Sequence, residues 1–221
     1  MSRPHEDRER HTLVDHRPGG SPVSFPARSW LAVGIARVKA ERNDACVAAY
    51  ETLVEKSSTS NVHGGPAVVF ASADGRRVLT MVGVRGHDGF RHLTAAWDDR
   101  HREEQHRVIA EAVSFALYEV AASVGATDID PDSHDAYVYE RVERQVPGVT
   151  DLFSLFGASE NFRGATVFEG DGATTTVILA RFAHAAAYDE LRASRAAVRV
   201  LGPSGEPGET SFVVRPRKTF A

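Results

Sequence analysis

The stretch VSFALYEV, Val113 to Val120, decides the fold. Its alternating apolar residues read as a strand, while a helix running on from Glu103 is a rival. The chain settles the choice by repeating itself. Ser114-Phe115 returns as Ser211-Phe212 (211 − 114 = 97), inside TSFVVRPRK, Thr210 to Lys218, which reads as a closing strand. Asp74-Gly75 and Asp171-Gly172 stand at the same offset, and so do His87 and His184. Three landmarks at one spacing predict an internal duplication in which Val113–Val120 is a last strand.

Each half carries the same order of elements. In the first, Trp30 to Ala40 alternates as a strand, and Asn43 and Asp44 offer a helix N-cap. Cys46, Ala49, Tyr50 and Leu53 then mark one helix face. PAVVFAS and RRVLTMVGV form a hairpin across Ala73 to Gly75, and Phe90, Leu93, Thr94 and Trp97 mark a second helix. In the second half, Ala136 to Gln145 is a strand, and Val149, Leu152, Phe153 and Phe156 mark a helix. GATVFEG and TTTVILARF form the hairpin, and His184 to Val198 is helical with Tyr188, Leu191, Arg195 and Val198 along one side.

A β-α-β-β-α-β order is the ferredoxin-like motif, which carries both helices on one face of its sheet and leaves the other bare. Two copies cover those bare faces by packing sheet to sheet around a shared interior, a natural place for a ligand. The expected organisation is a flexible tail over 1–28, rich in charge, Pro, Gly and Ser; a first unit over 29–122; a linker over 123–133; and a second unit over 134–221.

Composition narrows the function. The 221 residues are 42% apolar and 25% charged, as in ordinary globular proteins, and a net charge of −4 gives no reason to expect a nucleic-acid partner. No apolar run approaches the roughly 18 residues of a membrane span, and the charged start is not a secretory signal. The single cysteine, Cys46, excludes an internal disulfide and a cysteine zinc cluster, and fits a reducing cytoplasm. His101 and His106 in HREEQH diverge by about 140° on a helix, unlike the i, i+4 pair of a zinc site, so no metal is expected. No Gly-rich phosphate loop and no Gly-x-Ser-x-Gly elbow is present.

The duplicated order over Trp30 to Ala221 resembles the antibiotic biosynthesis monooxygenases of the dimeric α+β barrel superfamily, in a fused form. The resemblance rests on element order and repeat length, and it carries over no catalytic residue. It implies an α+β fold of two tandem ferredoxin-like units. It also implies an oxygenase that oxidises an electron-rich aromatic polyketide, of anthrone or phenol type, with dioxygen. No metal or bound flavin is implied, although diffusible reduced flavin is an open variant and a homodimer an open assembly. The competing class on the same scaffold is a non-oxidative polyketide cyclase or a ligand-binding protein.

Such oxidation needs a base near neutral pH, donors for an oxyanion and an apolar box. Histidine titrates at about 6.5, so His184 and His87, at equivalent strand-to-helix junctions, are candidate bases; exposed helix starts are the plain alternative. Tyr137, Tyr139 and Arg141 alternate along one strand and share a face, giving two phenols and a guanidinium. Their first-half counterparts, Val33, Ile35 and Arg37, would make an apolar wall. The alternative for that strand is a solvent-exposed edge. Trp97 packs in a core or lines the pocket. Asn61 and His63, in the polar SSTSNVHGG loop, either close over substrate or belong to a plain flexible loop.

Overall fold

The computed structural model describes residues 20–58, 63–101, 110–142, 148–170, 175–202 and 211–221. The first unit runs β1 (Trp30–Val38), α1 (Asn43–Ser58), β2 (His63–Ser72), β3 (Arg77–Val84), α2 (Gly86–His101) and β4 (Ala110–Gly125). The second runs β5 (Ala136–Val142), α3 (Val149–Gly157), β6 (Phe162–Gly170), β7 (Thr176–Phe182), α4 (Ala185–Arg192), α5 (Arg195–Leu201) and β8 (Ser211–Phe220). Val113–Val120 is therefore strand, the central part of β4.

The eight strands close into one antiparallel barrel in the order β1-β3-β2-β8-β5-β7-β6-β4. Cut at two seams, this circle gives β4-β1-β3-β2 and β8-β5-β7-β6, the same ferredoxin-like order twice. The seams explain the length of the last strands. The first half of β4 pairs with β1, from Val38↔Ala110 to Trp30↔Glu119, and its second half pairs with β6, from Tyr118↔Gly170 to Gly125↔Gly164. Likewise β8 leaves β5 after Tyr137↔Val214 and continues along β2 to Ala67↔Phe220. Each unit thus lends its fourth strand to the other, and no sheet edge remains open.

Strand alternation sorts the apolar residues into an interior and two outer layers. Leu31, Val33, Val68, Phe70, Leu79 and Met81 point inward with Tyr118, Phe168, Val177 and Leu179. Ala32, Ala36, Val69, Val78 and Val82 point outward beneath α1 and α2, where Trp97 packs edge-on against Tyr50 at 5.7 Å and Phe115 at 4.6 Å. Val138, Val167, Ile178 and Phe182 face α3, α4 and α5.

Three expectations are corrected. The tail drawn over 1–28 is not loose where it is described. Val23 and Phe25 are buried in the interior cluster, Val23 exchanges backbone hydrogen bonds with Ile129, and Phe25 meets Phe168 edge-on at 6.3 Å. Residues 20–29 therefore plug one end of the barrel. The linker drawn over 123–133 begins inside β4, and its Ile129 completes the plug. The helix expected over His184 to Val198 is two helices. Ser194 accepts a hydrogen bond from the Ala197 amide and starts α5 afresh, so Ala197, Val200 and Leu201 are buried while Val198 is 46% exposed.

Candidate functional site

Tyr137, Tyr139 and Arg141 take the inward register of β5. β5 stands opposite β1 in the eight-strand circle, so the phenols face the aliphatic wall of Val33 and Ile35. The three residues serve different ends of the barrel.

Tyr137 lies at the plugged end. Its hydroxyl accepts from the Asp130 amide at 3.0 Å and donates to the Asp128 carbonyl at 3.2 Å, with the Arg181 guanidinium over its ring. Burial pushes its ionisation up, against the Asp130 amide and Arg181, which favour the phenolate. Tyr137 is a fastener for the 128–135 turn.

Tyr139 lies deeper and is 1% exposed, with its ring stacked on Phe212 at 4.9 Å. Burial first, and then neighbouring Tyr118, push its ionisation well above the ordinary phenol range, while Arg141 acts the other way. Tyr139 is thus a neutral O–H donor at physiological pH.

Beyond Tyr139, the inward register ends in arginines. Arg141 closes β5, and Arg37 and Arg77, Cα partners of each other, stand at the matching ends of β1 and β3. The Arg77 guanidinium lies over Phe212, 5.1 Å from its centroid, and pairs with Asp74 at 3.0 Å. Burial raises the Asp74 pKa, but hydrogen bonds from Ser72, the Arg76 amide and Arg77 outweigh it and hold the carboxyl below its usual range. Ser114 is opposite Ile35 on β4 at the same end. The described residues here therefore combine an aromatic face, an aliphatic face, a neutral phenol and cationic guanidiniums.

The histidines do not join them. His184 is exposed and caps α4, its Nδ1 accepting from the Ala187 amide at 3.2 Å. His87 is exposed at the start of α2, with its ring 5.0 Å from Trp30. His63 begins β2 and is half-buried, bonded through Nε2 to Ser57 Oγ at 3.0 Å; burial lowers its pKa. All three sit at the strand ends opposite Arg141. Trp97 packs beneath α2 outside the barrel rather than lining its interior, and Asn61 lies outside the described residues. Arg77 and Phe212 were missed from sequence; an inward-register arginine beside a hairpin was the available signal.

The outward residue between Tyr139 and Arg141 is Glu140, itself buried. It accepts from the Tyr188 hydroxyl and from Arg192 at 3.3 Å, and Tyr188 also meets Ser211 at 3.0 Å. This polar cluster holds α4 against β5 and β8 and so fixes the back of the site.

No family profile and no curated protein matches the chain. Solved structures do. An anthrone oxidase-like protein aligns with a TM-score of 0.66 at 17% identity, over 90% of this chain and 95% of its own. A provisionally named monooxygenase from Fusobacterium nucleatum aligns at 0.55 with 14% identity, over 88% and 95%. A mutant chlorite dismutase from Candidatus Nitrospira defluvii aligns at 0.51 with 10% identity, over 87% and 94%. The chain shares with these solved structures its fold of two ferredoxin-like units. At these identities the likeness is one of fold, and proteins with different reaction names share it. No helix among the described residues is long and apolar enough to cross a membrane.

Proposed function

We propose that this protein is a cytoplasmic oxygenase that oxidises a planar aromatic polyketide, of anthrone or phenol type, at the barrel end bounded by Tyr139, Arg141, Phe212 and Arg77. The observation that supports this reading is the stacked Tyr139–Phe212 pair with the Arg77 guanidinium over it. Such a wall suits a flat, electron-rich ring whose oxygen gains negative charge. Arg141, Arg77 and the Tyr139 hydroxyl stabilise the enolate or phenolate, and its proton leaves to solvent. Val33 and Ile35 exclude water from the opposite face. The anion then donates electrons to dioxygen. An anthrone methylene gains one oxygen atom and loses two hydrogens, which leave with the other oxygen as water, so no external reductant is consumed.

Oxygen uptake by the purified protein with an anthrone tests the reading, with and without reduced flavin. Quinone formation with uptake and no flavin is expected. Uptake only with reduced flavin assigns the flavin-assisted variant. Ring closure of a polyketide under nitrogen, without uptake in air, replaces the oxygenase by a cyclase. Ligand binding with neither reaction leaves a binding protein.

A further inference from the structure

We propose a second binding site, for a small oxyanion such as a phosphate monoester or a carboxylate, in the groove between the 131–135 turn and β8. The groove has a volume of about 420 Å³ and includes Pro131, Asp132, Ser133 and His134 on one side and Arg215 and Arg217 on the other. It involves none of the residues of the proposed oxidation site.

The local backbone builds the cationic side. β8 pairs Pro216 with Phe70 and Lys218 with Val69, so Arg217 is the extra residue of a bulge. Residues two apart already share one face of a strand, and the bulge bends β8 locally at Arg217. Here Arg215 and Arg217 both border the groove, and among the described residues Arg215 has no carboxylate partner.

The facing turn is held in place from beneath by Arg181. Arg181 donates to Asp135 at 2.5 Å, to the Asp128 carbonyl at 3.0 Å and to Ser133 Oγ at 3.2 Å. The Asp135 charge is thereby met. Ser133 Oγ also accepts from the Asp135 amide at 3.2 Å. With both lone pairs engaged, the serine has only its O–H left to offer a ligand. The lining sets two guanidiniums, one hydroxyl and an imidazole beside the carboxylates of Asp132 and Asp135, the latter paired with Arg181. A donor-rich groove of this kind recognises an anion through charge-assisted hydrogen bonds.

Titration calorimetry with inorganic phosphate and, separately, succinate at fixed ionic strength tests the site without any assay of turnover. Saturable binding of at least one is expected, and the tighter of the two identifies the preferred anion. Arg215→Gln with Arg217→Gln should weaken it about tenfold or more, and Ser133→Ala by less. Arg91→Gln, on the far exposed face of α2, should bind as the unaltered protein does. Thermal melts establish that each variant is folded. No saturable binding of either anion, or equal binding by a folded double variant, overturns the proposal.

Discussion

Tyr139 and Phe212 stack at 4.9 Å where β8 passes from its own unit to the other. Arg77, which covers Phe212, comes from the first unit. The aromatic pair thus comes from the second unit and its cationic cover from the first, so the complete wall draws on both halves of the chain. This is the structural consequence of exchanging fourth strands across the seams.

The pair separates stability from chemistry. Tyr139→Phe removes a hydroxyl with no hydrogen-bond partner among the described residues, so stability in urea should stay within about 1 kcal/mol. If that hydroxyl stabilises the substrate oxyanion, kcat should fall roughly a hundredfold. Phe212→Ala opens a cavity beside Tyr139 and should cost about 3–5 kcal/mol. A Tyr139→Phe protein with full turnover removes the hydroxyl from the mechanism.

The plug makes a second prediction. Phe25 is 7% exposed and fills the barrel interior against Phe168. Phe25→Ala should destabilise by about 3 kcal/mol, lowering Tm by roughly 6–12 °C for a chain of this size. A calorimetric Tm equal to that of the unaltered protein would show that residues 20–29 do not pack as described.

Much of this architecture was legible because strand alternation and helix spacing are set by local geometry. The units, their order and the single face shared by Tyr137 and Tyr139 follow from that alone. What the pattern lacks is an absolute face. Phe115 and Phe212 occupy matching positions in the repeat, yet Phe115 points outward onto Trp97 and Phe212 inward onto Tyr139. A one-residue slip between the units is enough, since successive strand residues face opposite sides. The histidines misled for a related reason. His87 and His184 do sit at equivalent junctions, but a chain leaving a strand for a helix moves to the outer layer, away from the interior. The plug was hidden because Val23 and Phe25 offer a single alternation between prolines, too short to register as a strand. Arg195 and Val198 continued the apolar spacing of α4, but the side-chain cap at Ser194 resets its phase.

The buried cluster behind β5 should respond asymmetrically to mutation. Arg192→Met leaves the Glu140 carboxylate buried with only the Tyr188 hydroxyl, and should cost about 3–5 kcal/mol. Adding Glu140→Gln removes the stranded charge and should recover part of that loss. Urea unfolding of the single and double variants measures the difference. A double variant as unstable as the sum of its parts would show that Glu140 and Arg192 do not interact.

His63 provides a pH signature. Burial lowers its pKa, so the folded protein holds the ring neutral where the unfolded chain, titrating near 6.5, already binds a proton. Between those two pKa values the unfolded state carries more protons, and stability must fall as pH drops through this window. Above the unfolded pKa the contribution vanishes; below the folded one it reaches its full size. His63→Gln cannot titrate and keeps an amide able to bond Ser57 Oγ. Its stability, followed by denaturant midpoint from pH 7.5 downward, should therefore decline less below about 6.5 than that of the unaltered protein. Parallel curves would mean that His63 titrates alike in both states and that its place beside Ser57 leaves it fully hydrated.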